Sequence, residues 1–477
     1  MILVPERGSQ GERQSGKAWA LQGEVMRVFP ERGSLGGAGA GWSCGMGVKM
    51  VSGRFGFTRA EGMEVALIRN GSYLKLASAM GVSSIGDGIR LVAAPLLAST
   101  MTSDPLLISL VVVANRLPWL LFGLAGGVVA DRFKRKSLMV LVDLSRCVLV
   151  GVLAGAVFFD LAGIWVLAVV SFCLGVGETV FSAANQGMIP EIVEDPDDLS
   201  AANGTFYAMQ AASMNFIGPG LGGLLFSFAR WLPFLIDAVS FLLASALVAR
   251  IAGGGQAPAS GGAGMWQAVR EGVAWCRGKP VVVALLSVMG VVNFAQSGVL
   301  AVMVIYVTND LGASATAFGV VLSISGAGGV LGGALASVAD RKLGFSYVLP
   351  VGVALAGPLL LPMIASNNLV LLAGCLFFNS FFGIMVSVLV ASLRQRIAPR
   401  ELAGRVASVQ AFMAMGIAMP GGALLGGVTA ELLGVRSVFI LSGALCLLLS
   451  LATARNLHPR ALRRDIAELM AKASPTK

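Results

Sequence analysis

The chain has 477 residues, 56% of them hydrophobic and 13% charged, with a formal net charge of +10. A soluble domain carries about 25% charged residues, so this composition excludes a water-soluble globule as the setting for most side chains. The positive charge would suit a nucleic-acid partner, but none is expected: the basic residues fall in short loops between apolar runs, as in the cytoplasmic loops of membrane proteins.

Residues 1–65 are rich in Gly, Ser and Arg and lack a sustained apolar run. They read as a disordered cytoplasmic extension without a signal-peptide core, and Met63 begins a plausible shorter protein. Twelve apolar runs follow, near 74–99, 107–130, 138–158, 162–186, 201–228, 231–250, 281–307, 315–339, 345–366, 369–391, 405–429 and 434–454. Each is long enough to cross a bilayer as a helix, and backbone groups in lipid must be satisfied within the segment. The alternating ten-residue segments of a membrane barrel are absent. The predicted fold is therefore an all-α membrane protein of twelve transmembrane helices in two six-helix, pseudo-repeated halves, 66–250 and 281–455. Between them, 251–280 reads as a cytoplasmic linker that opens with "GGGQAPASGGAG", a flexible composition. The following "MWQAVREGVAWCRGKP" suits an amphipathic helix on the membrane surface, with Trp266, Val269, Val273 and Ala274 on one face. Residues 456–477 form a cytoplasmic tail. The 62 glycines suit a bundle whose backbones approach closely.

Lys and Arg set the orientation. One side holds Arg132, Lys134, Arg135, Lys136, Arg250, Arg270, Arg277, Lys279, Arg341, Lys342, Arg394, Arg396, Arg400 and Arg405, and the other only Arg230 and Arg436. The first side is expected to be cytoplasmic, with both termini. The expected location is the inner or plasma membrane. The six cysteines are scattered and form no metal-spacing pair, and the single histidine, His458, lies in the basic tail. No disulfide, metal or cofactor is expected.

Three landmarks recur in the same order in both halves. "GGVVADRFKRK" aligns with "GGALASVADRK" at Asp131 and Asp340, 209 residues apart. Pro190 and Pro399 keep that separation. "IGPGLGGLL" and "AMPGGALLGG" align at Pro219 and Pro420, where the shorter offset fits an acidic insert, "EIVEDPDDL", in the first half only. This points to duplication of a six-helix unit, with a substrate site between the halves near mid-membrane.

On these residues the chain resembles the major facilitator superfamily. "GGVVADRFKRK" is similar to the family's loop between spans two and three, with Gly127, Asp131, Arg132, Arg135 and Lys136, and Asp340 with Arg341 fills the corresponding loop between spans eight and nine. Gly218, Pro219, Gly222 and Gly223 are similar to the core of the span-five antiporter motif, although Met214 stands where a small residue is expected. "GVGETVFSAANQGMIPEIV" and "LPFLIDAVSFLLASALV" look like bacterial exporters of drugs and siderophores. The resemblance implies that the first loop latches the cytoplasmic ends together in one state and releases them in the other. Physically, Asp131 suits a helix N-terminus, and the basic residues suit carboxylates or helix C-termini. The alternative is a loop that only fixes topology.

Charges inside spans are expensive and must face a cavity or a partner. They are Asp87, Arg90, Arg116, Asp143, Arg146, Glu178 and Asp237, all in the first half. A proton-driven exporter needs a carboxylate moved between environments, because burial and a nearby Arg act on it in opposite senses. The proton-coupling candidates are Asp87, with Arg90 one turn away, and Glu178, which has no cation within two turns. Asp87–Arg90 and Asp143–Arg146 also read as packing pairs, and Asp237, near the extracellular start of span six, reads as structural. Asn293, Gln296, Asn379, Arg116 and Arg146 are the candidate cavity residues. Phe294, Phe377, Phe378, Phe381 and Phe382 suggest a lining for amphipathic compounds. Pro219 bends span five, and its glycines either seal against proton leak or simply pack.

The expected function is secondary active transport: proton-coupled efflux of small amphipathic or lipophilic compounds by alternating access. Its partners are a small-molecule substrate, protons and the lipid bilayer, and the chain is expected to be a monomer. Uptake of a small nutrient by the same fold is the alternative, with a non-transporting membrane sensor behind it. There is no GxxxxGK[ST] loop for a built-in ATPase. There is no HExxH or Ser/His constellation for an enzyme.

Overall fold

The computed structural model describes residues 20–21, 24–25, 70–123, 132–193, 196–251, 265–362, 367–398, 402–457 and 464. The chain divides into two units, Met1–Asn70 and Gly71–Lys477. In the first, the described part is a short antiparallel pair, Ala20–Leu21 with Glu24–Val25. The expectation for 1–65 otherwise lies outside the described residues.

The second unit is a helical bundle. Span one is Gly71–Met101, span two Pro105–Leu121, span three Arg135–Phe158, span four Ile164–Ile192 and span six Leu232–Ala249. Spans eight, ten and twelve are Ala315–Leu343, Leu369–Ile397 and Val435–Leu457. Span nine is Phe345–Ala356 followed by a 3-10 turn, Pro358–Leu360. Among the described residues, nine helices are long and apolar enough to cross a membrane, and Pro105–Leu121 and Phe345–Leu360 are shorter apolar ones. Span five, discussed below, completes the twelve. The predicted continuations of spans two and nine, 124–130 and 363–366, lie outside the described residues.

Helix ends follow local chemistry. Asp104 Oδ1 accepts from the N–H groups of Leu106 (2.8 Å) and Leu107 (3.2 Å), and Pro105 takes the first position, where no N–H is needed. Asn368 caps span ten in the same way. Gly344, at φ +82°, makes the whole turn between spans eight and nine, a conformation that a Cβ disfavours.

Spans five, seven and eleven are not uniform α-helices. Span five runs Pro196–Ala212, then a π segment Ser213–Ile217, then Gly218–Phe228. Span eleven runs Ala403–Ala411, a π segment Phe412–Ala418, then Met419–Leu433. Span seven, Pro280–Ile305, ends in a π segment Tyr306–Asp310. In spans five and eleven a proline follows at once. Proline cannot donate to the carbonyl four residues back, and its ring crowds that carbonyl. The residue before it therefore bonds five back: Gly218 N–H to the Ser213 carbonyl, and Met419 N–H to that of Ala414. The repeat seen in the sequence as two prolines is thus a repeat of a widened turn.

Lipid supplies no hydrophobic drive between helices, so packing must hold the bundle. Span five approaches span one through Gly218 and Gly222: a Cβ on Gly218 would sit 2.6 Å from Gly88 Cα, and one on Gly222 2.6 Å from the Ile89 carbonyl. Its other side meets span eight, where a Cβ on Gly319 would lie 2.5 Å from the Pro219 carbonyl and one on Gly326 1.6 Å from that of Asn215. Span two meets span eleven at Ser109 and Gly427. The halves therefore join along two seams, five with eight and two with eleven. The five–eight seam thins toward the end bearing Arg132–Lys136 and Arg341–Lys342, the basic end. At the opposite end a large buried cluster joins the halves, including Val92, Phe234, Tyr306, Phe318 and Phe439.

The linker helix, Met265–Arg277, differs from the membrane-surface expectation. Its Gly272 and Cys276 are buried and its Ala274 is exposed. A Cβ on Gly272 would lie 2.8 Å from Val409 Cγ2, and Glu271 pairs with Arg405. The start of span eleven meets the Gly272 side of the helix; the side chains of Trp266 and Val269 lie outside the described residues.

The five–eight seam makes a stability prediction. Gly326→Ala places a methyl against backbone and is expected to cost about 1–3 kcal/mol by overpacking. Gly290→Ala, with open space around it, should be neutral or stabilising. Thermal unfolding midpoints of the two purified variants check this, and equal midpoints would refute so close a seam.

Candidate functional site

The charged residues inside the first half come together. Arg90, at mid-length in span one, donates from Nη2 to Asp87 Oδ1 at 2.5 Å and from Nε to Asp237 Oδ2 at 2.9 Å. Asp237 is fully buried and its Oδ1 has no hydrogen-bond partner among the described residues. Gly86 leaves it room, since a Cβ there would lie 2.5 Å from that oxygen. Arg146 Nη1 stands 4.0 Å from Asp143 Oδ1, and both carboxylate oxygens of Asp143 lack a hydrogen-bond donor among the described residues. The Arg146 guanidinium instead lies between aromatic faces, 5.4 Å from the Phe181 ring centre and 5.3 Å from that of Phe241, a cation–π arrangement. Gly177 on span four makes way for it, and the next residue, Glu178, is partly buried and within electrostatic reach of Arg90.

Spans one, three, four and six thus surround four carboxylates (Asp87, Asp143, Glu178 and Asp237) and two guanidiniums (Arg90 and Arg146). Removing one partner of such a buried pair costs more than the pair itself contributes, about 3–5 kcal/mol. Asp237 stands near the start of span six, where the sequence reading has it, and is also the second carboxylate partner of Arg90, which that reading did not include. The rule that flagged Asp87, that a carboxylate inside a span needs a partner, applied to it equally.

A second polar region lies between the halves. A cavity of about 260 Å³ is lined by Leu91 of span one, Asn215 and Pro219 of span five, and residues of spans seven, eight and ten. Its polar groups are Gln296, Asn379, Ser325, Ser380 and Asn215. Gln296 Nε2 is 3.5 Å from Asn379 Oδ1, and the Ser325 and Ser380 hydroxyls are 2.7 Å apart. Gln296 and Asn379 are where the sequence reading placed them; the two serines and Asn215 were missed. The same signal, a polar residue in an apolar span, could have found them. Three candidates do not line the cavity. Asn293 turns to its own helix and bonds the Met289 carbonyl at 2.8 Å. Arg146 is held in the first-half core. Arg116 is partly buried in span two, with no hydrogen bond or ion pair among the described residues. Nor do the aromatics line it: Phe377 and Phe378 stack edge to face on each other, and Phe381 and Phe382 face a separate cleft.

The latch residues divide. Gly127 and Asp131 lie outside the described residues. Arg132 is exposed. Arg135 Nη1 donates to the Gly187 carbonyl at 2.8 Å and pairs with Glu191, both on span four. Lys136 Nζ donates to the Ile251 carbonyl at 2.7 Å, and Lys75 Nζ to that of Arg250 at 3.0 Å, so two cations cap the C-terminal end of span six. These bonds tie spans three, four, six and one within the first half. Asp340, in the last turn of span eight, is partly buried, and Arg341 is exposed.

The profile of the transmembrane secretion effector family matches residues 64–473. The uncharacterized MFS-type transporter YfiS of Bacillus subtilis is 27% identical over 82% of this chain and 94% of its own. Macrolide efflux protein A of Streptococcus pyogenes is 25% identical, covering 78% and 92%, and multidrug efflux pump Tap of Mycolicibacterium fortuitum 26%, covering 84% and 98%. In fold, the chain is similar to the nucleoside transporter NupG (TM-score 0.69, 10% identity, 80% and 99% covered). It is also similar to an inward-facing bacterial homolog of the human lysosomal transporter Spinster (0.63, 16%, 85% and 98%).

The Arg90–Asp237 pair is testable by a double-mutant cycle. Arg90→Leu alone leaves a buried carboxylate without its cation and is expected to cost about 3–5 kcal/mol. Adding Asp237→Asn should recover a large part of the folded yield and melting midpoint. Strictly additive losses would show that the two side chains do not pair.

Proposed function

The chain belongs to the transmembrane secretion effector family of major facilitator superfamily transporters, a multi-pass membrane protein, and from that premise we propose that it exports small amphipathic compounds in exchange for protons. The observation that carries the reading is the division of polar groups. The first half holds a cluster of buried and partly buried charges, four carboxylates against two guanidiniums. The cavity between the halves is lined, among the described residues, by uncharged groups only.

A cluster with two carboxylates in excess has anions without matching cations in a medium that tolerates them poorly. A proton is the counter-charge that can arrive and leave. Arg90 holds Asp87 and Asp237 together. If alternating access draws span one away from span six, Asp237 loses its partner and the proton balance changes. Asp87, paired with Arg90, and Glu178, in the same cluster, remain the exchange candidates, and Asp237 joins them. The cavity offers amide and hydroxyl groups on an apolar wall, which suits amphipathic cargo. The efflux relatives support export.

The basic end is read as cytoplasmic from the Lys and Arg bias, with both termini on that side. The tight seam at the opposite end, thinning toward the basic end, then suits an inward-open state. Arg135 and Lys136 tie the basic ends of spans three, four and six together while span one is left to shift against span six. Asp131 and Asp340, with Arg341, are proposed as the groups that bridge to the other half when the basic end closes. The chain is proposed to work as a monomer, each half supplying one wall of the cavity.

Proteoliposomes with an imposed pH gradient test the whole reading. A lipophilic dye is expected to be expelled against its gradient and to stop when the pH gradient is collapsed; concentrative uptake driven by the same gradient would overturn export. Asp237→Asn and Asp87→Asn are expected to lower gradient-driven flux at least about tenfold, the size of one lost step worth 1.4 kcal/mol. Gln296→Leu should instead change the apparent affinity for dye. Asp131→Asn should insert normally yet transport slowly, and normal flux would remove the latch from the scheme.

A further inference from the structure

A second large cavity lies at the lipid-facing surface of the second half. It has a volume of about 770 Å³ and sits at the basic end between spans eight, nine and ten. Its origin is the single-residue turn at Gly344. Span eight packs along span ten, whereas span nine leans on span ten and leaves span eight soon after the turn. A wedge opens between eight and nine, floored by Phe381, Phe382 and Met385 of span ten. Its walls are apolar, and its rim residues Leu343 (65%), Val351 (54%) and Leu335 (46%) are exposed, so it opens outward rather than toward the central cavity.

One cation stands in the lining, Lys342, next to exposed Arg341. The duplication shows what is unusual about them. In the first half, Arg135 and Lys136 are consumed by protein groups, Glu191 with the Gly187 carbonyl and the Ile251 carbonyl. The 209-residue offset puts Gly344 and Phe345 in their places. Arg341 and Lys342 have no hydrogen bond or ion pair among the described residues. Both favour the negative end of the span-eight dipole, but that accounts for neither the cleft beneath them nor its apolar walls.

We propose that this cleft binds an anionic phospholipid of the leaflet at the basic end, with an acyl chain in the wedge and the headgroup phosphate on Lys342 and Arg341. The volume lies within the range of ligand sites. Basic pockets between transmembrane helices on the cytoplasmic side recognise anionic headgroups by this combination.

The test uses the purified full-length protein reconstituted with equal phosphatidylglycerol and phosphatidylcholine, stripped by detergent, with retained lipid counted by native mass spectrometry. Wild type is expected to retain phosphatidylglycerol about 25-fold over phosphatidylcholine, given roughly fivefold for each of the two basic residues. Lys342→Gln should lower that preference about fivefold. Ala339→Trp, which fills the wedge, should reduce retention of both lipids. Photoreactive-acyl phosphatidylglycerol should label span-ten peptides containing Phe381 and Met385 in the wild type, a readout that needs no variant. Equal retention of the two lipids, or labelling elsewhere only, overturns the proposal. So does unchanged retention in Ala339→Trp together with slowed dye export, which would make the cleft a route for cargo instead.

Discussion

Backbone meets backbone on both sides of span five. Gly218 and Gly222 bring it against span one, and Pro219 and the Asn215 carbonyl bring it against Gly319 and Gly326 of span eight. Apolar side chains gain nothing by leaving lipid for one another, so dispersion at this range is what remains to hold helices together. Span five is therefore the common wall of two environments. Behind it, spans one, three, four and six enclose charges; in front, spans seven, eight and ten present amides and hydroxyls. Widening the five–one contact would admit lipid tails to the charges, and widening the five–eight contact would merge the cavity with the bilayer.

The two halves share an ancestor in outline but not in electrostatics. At an offset of 209, Asp87 corresponds to Gln296 and Arg116 to Ser325. At these two positions a charge in the first half is replaced by a neutral hydrogen-bonding group in the second, and both neutral groups line the cavity. One copy keeps charged side chains inside its spans, and the other supplies most of the neutral polar groups of the cavity. Separation has a physical advantage: a buried ion pair is very sensitive to loss of its partner, so it is safer in a packed half than beside a cavity that must open.

Much of this was legible in the sequence. Span number, order and most boundaries followed from hydropathy, because lipid imposes a length and polarity rule that soluble folds lack. The duplication was legible because its landmarks are Pro, Gly and Asp, residues with narrow conformational roles. What was not legible was partnership between distant spans. Asp87 with Arg90 is an i,i+3 relation that a helix announces; Arg90 with Asp237 links residues 147 apart. Arg146 looked like a cavity residue because aromatic faces that satisfy a cation leave no mark in its neighbouring sequence. The contact of Gly272 in the linker helix with Val409 of span eleven joins residues 137 apart and was equally invisible.

The widened turns before Pro219 and Pro420 have a consequence for phase. An α-helix turns about 100° per residue, and a π segment accommodates roughly one extra residue in the same length. A helical wheel drawn straight through span five is therefore out of register on one side of Ser213–Ile217 by about that angle. Tyr207 and Leu224 cannot be placed on faces by counting from one another. The same holds across Phe412–Ala418 in span eleven. Both copies slip in the same sense at corresponding places, and each proline acts as the fiducial mark from which its span must be counted in either direction.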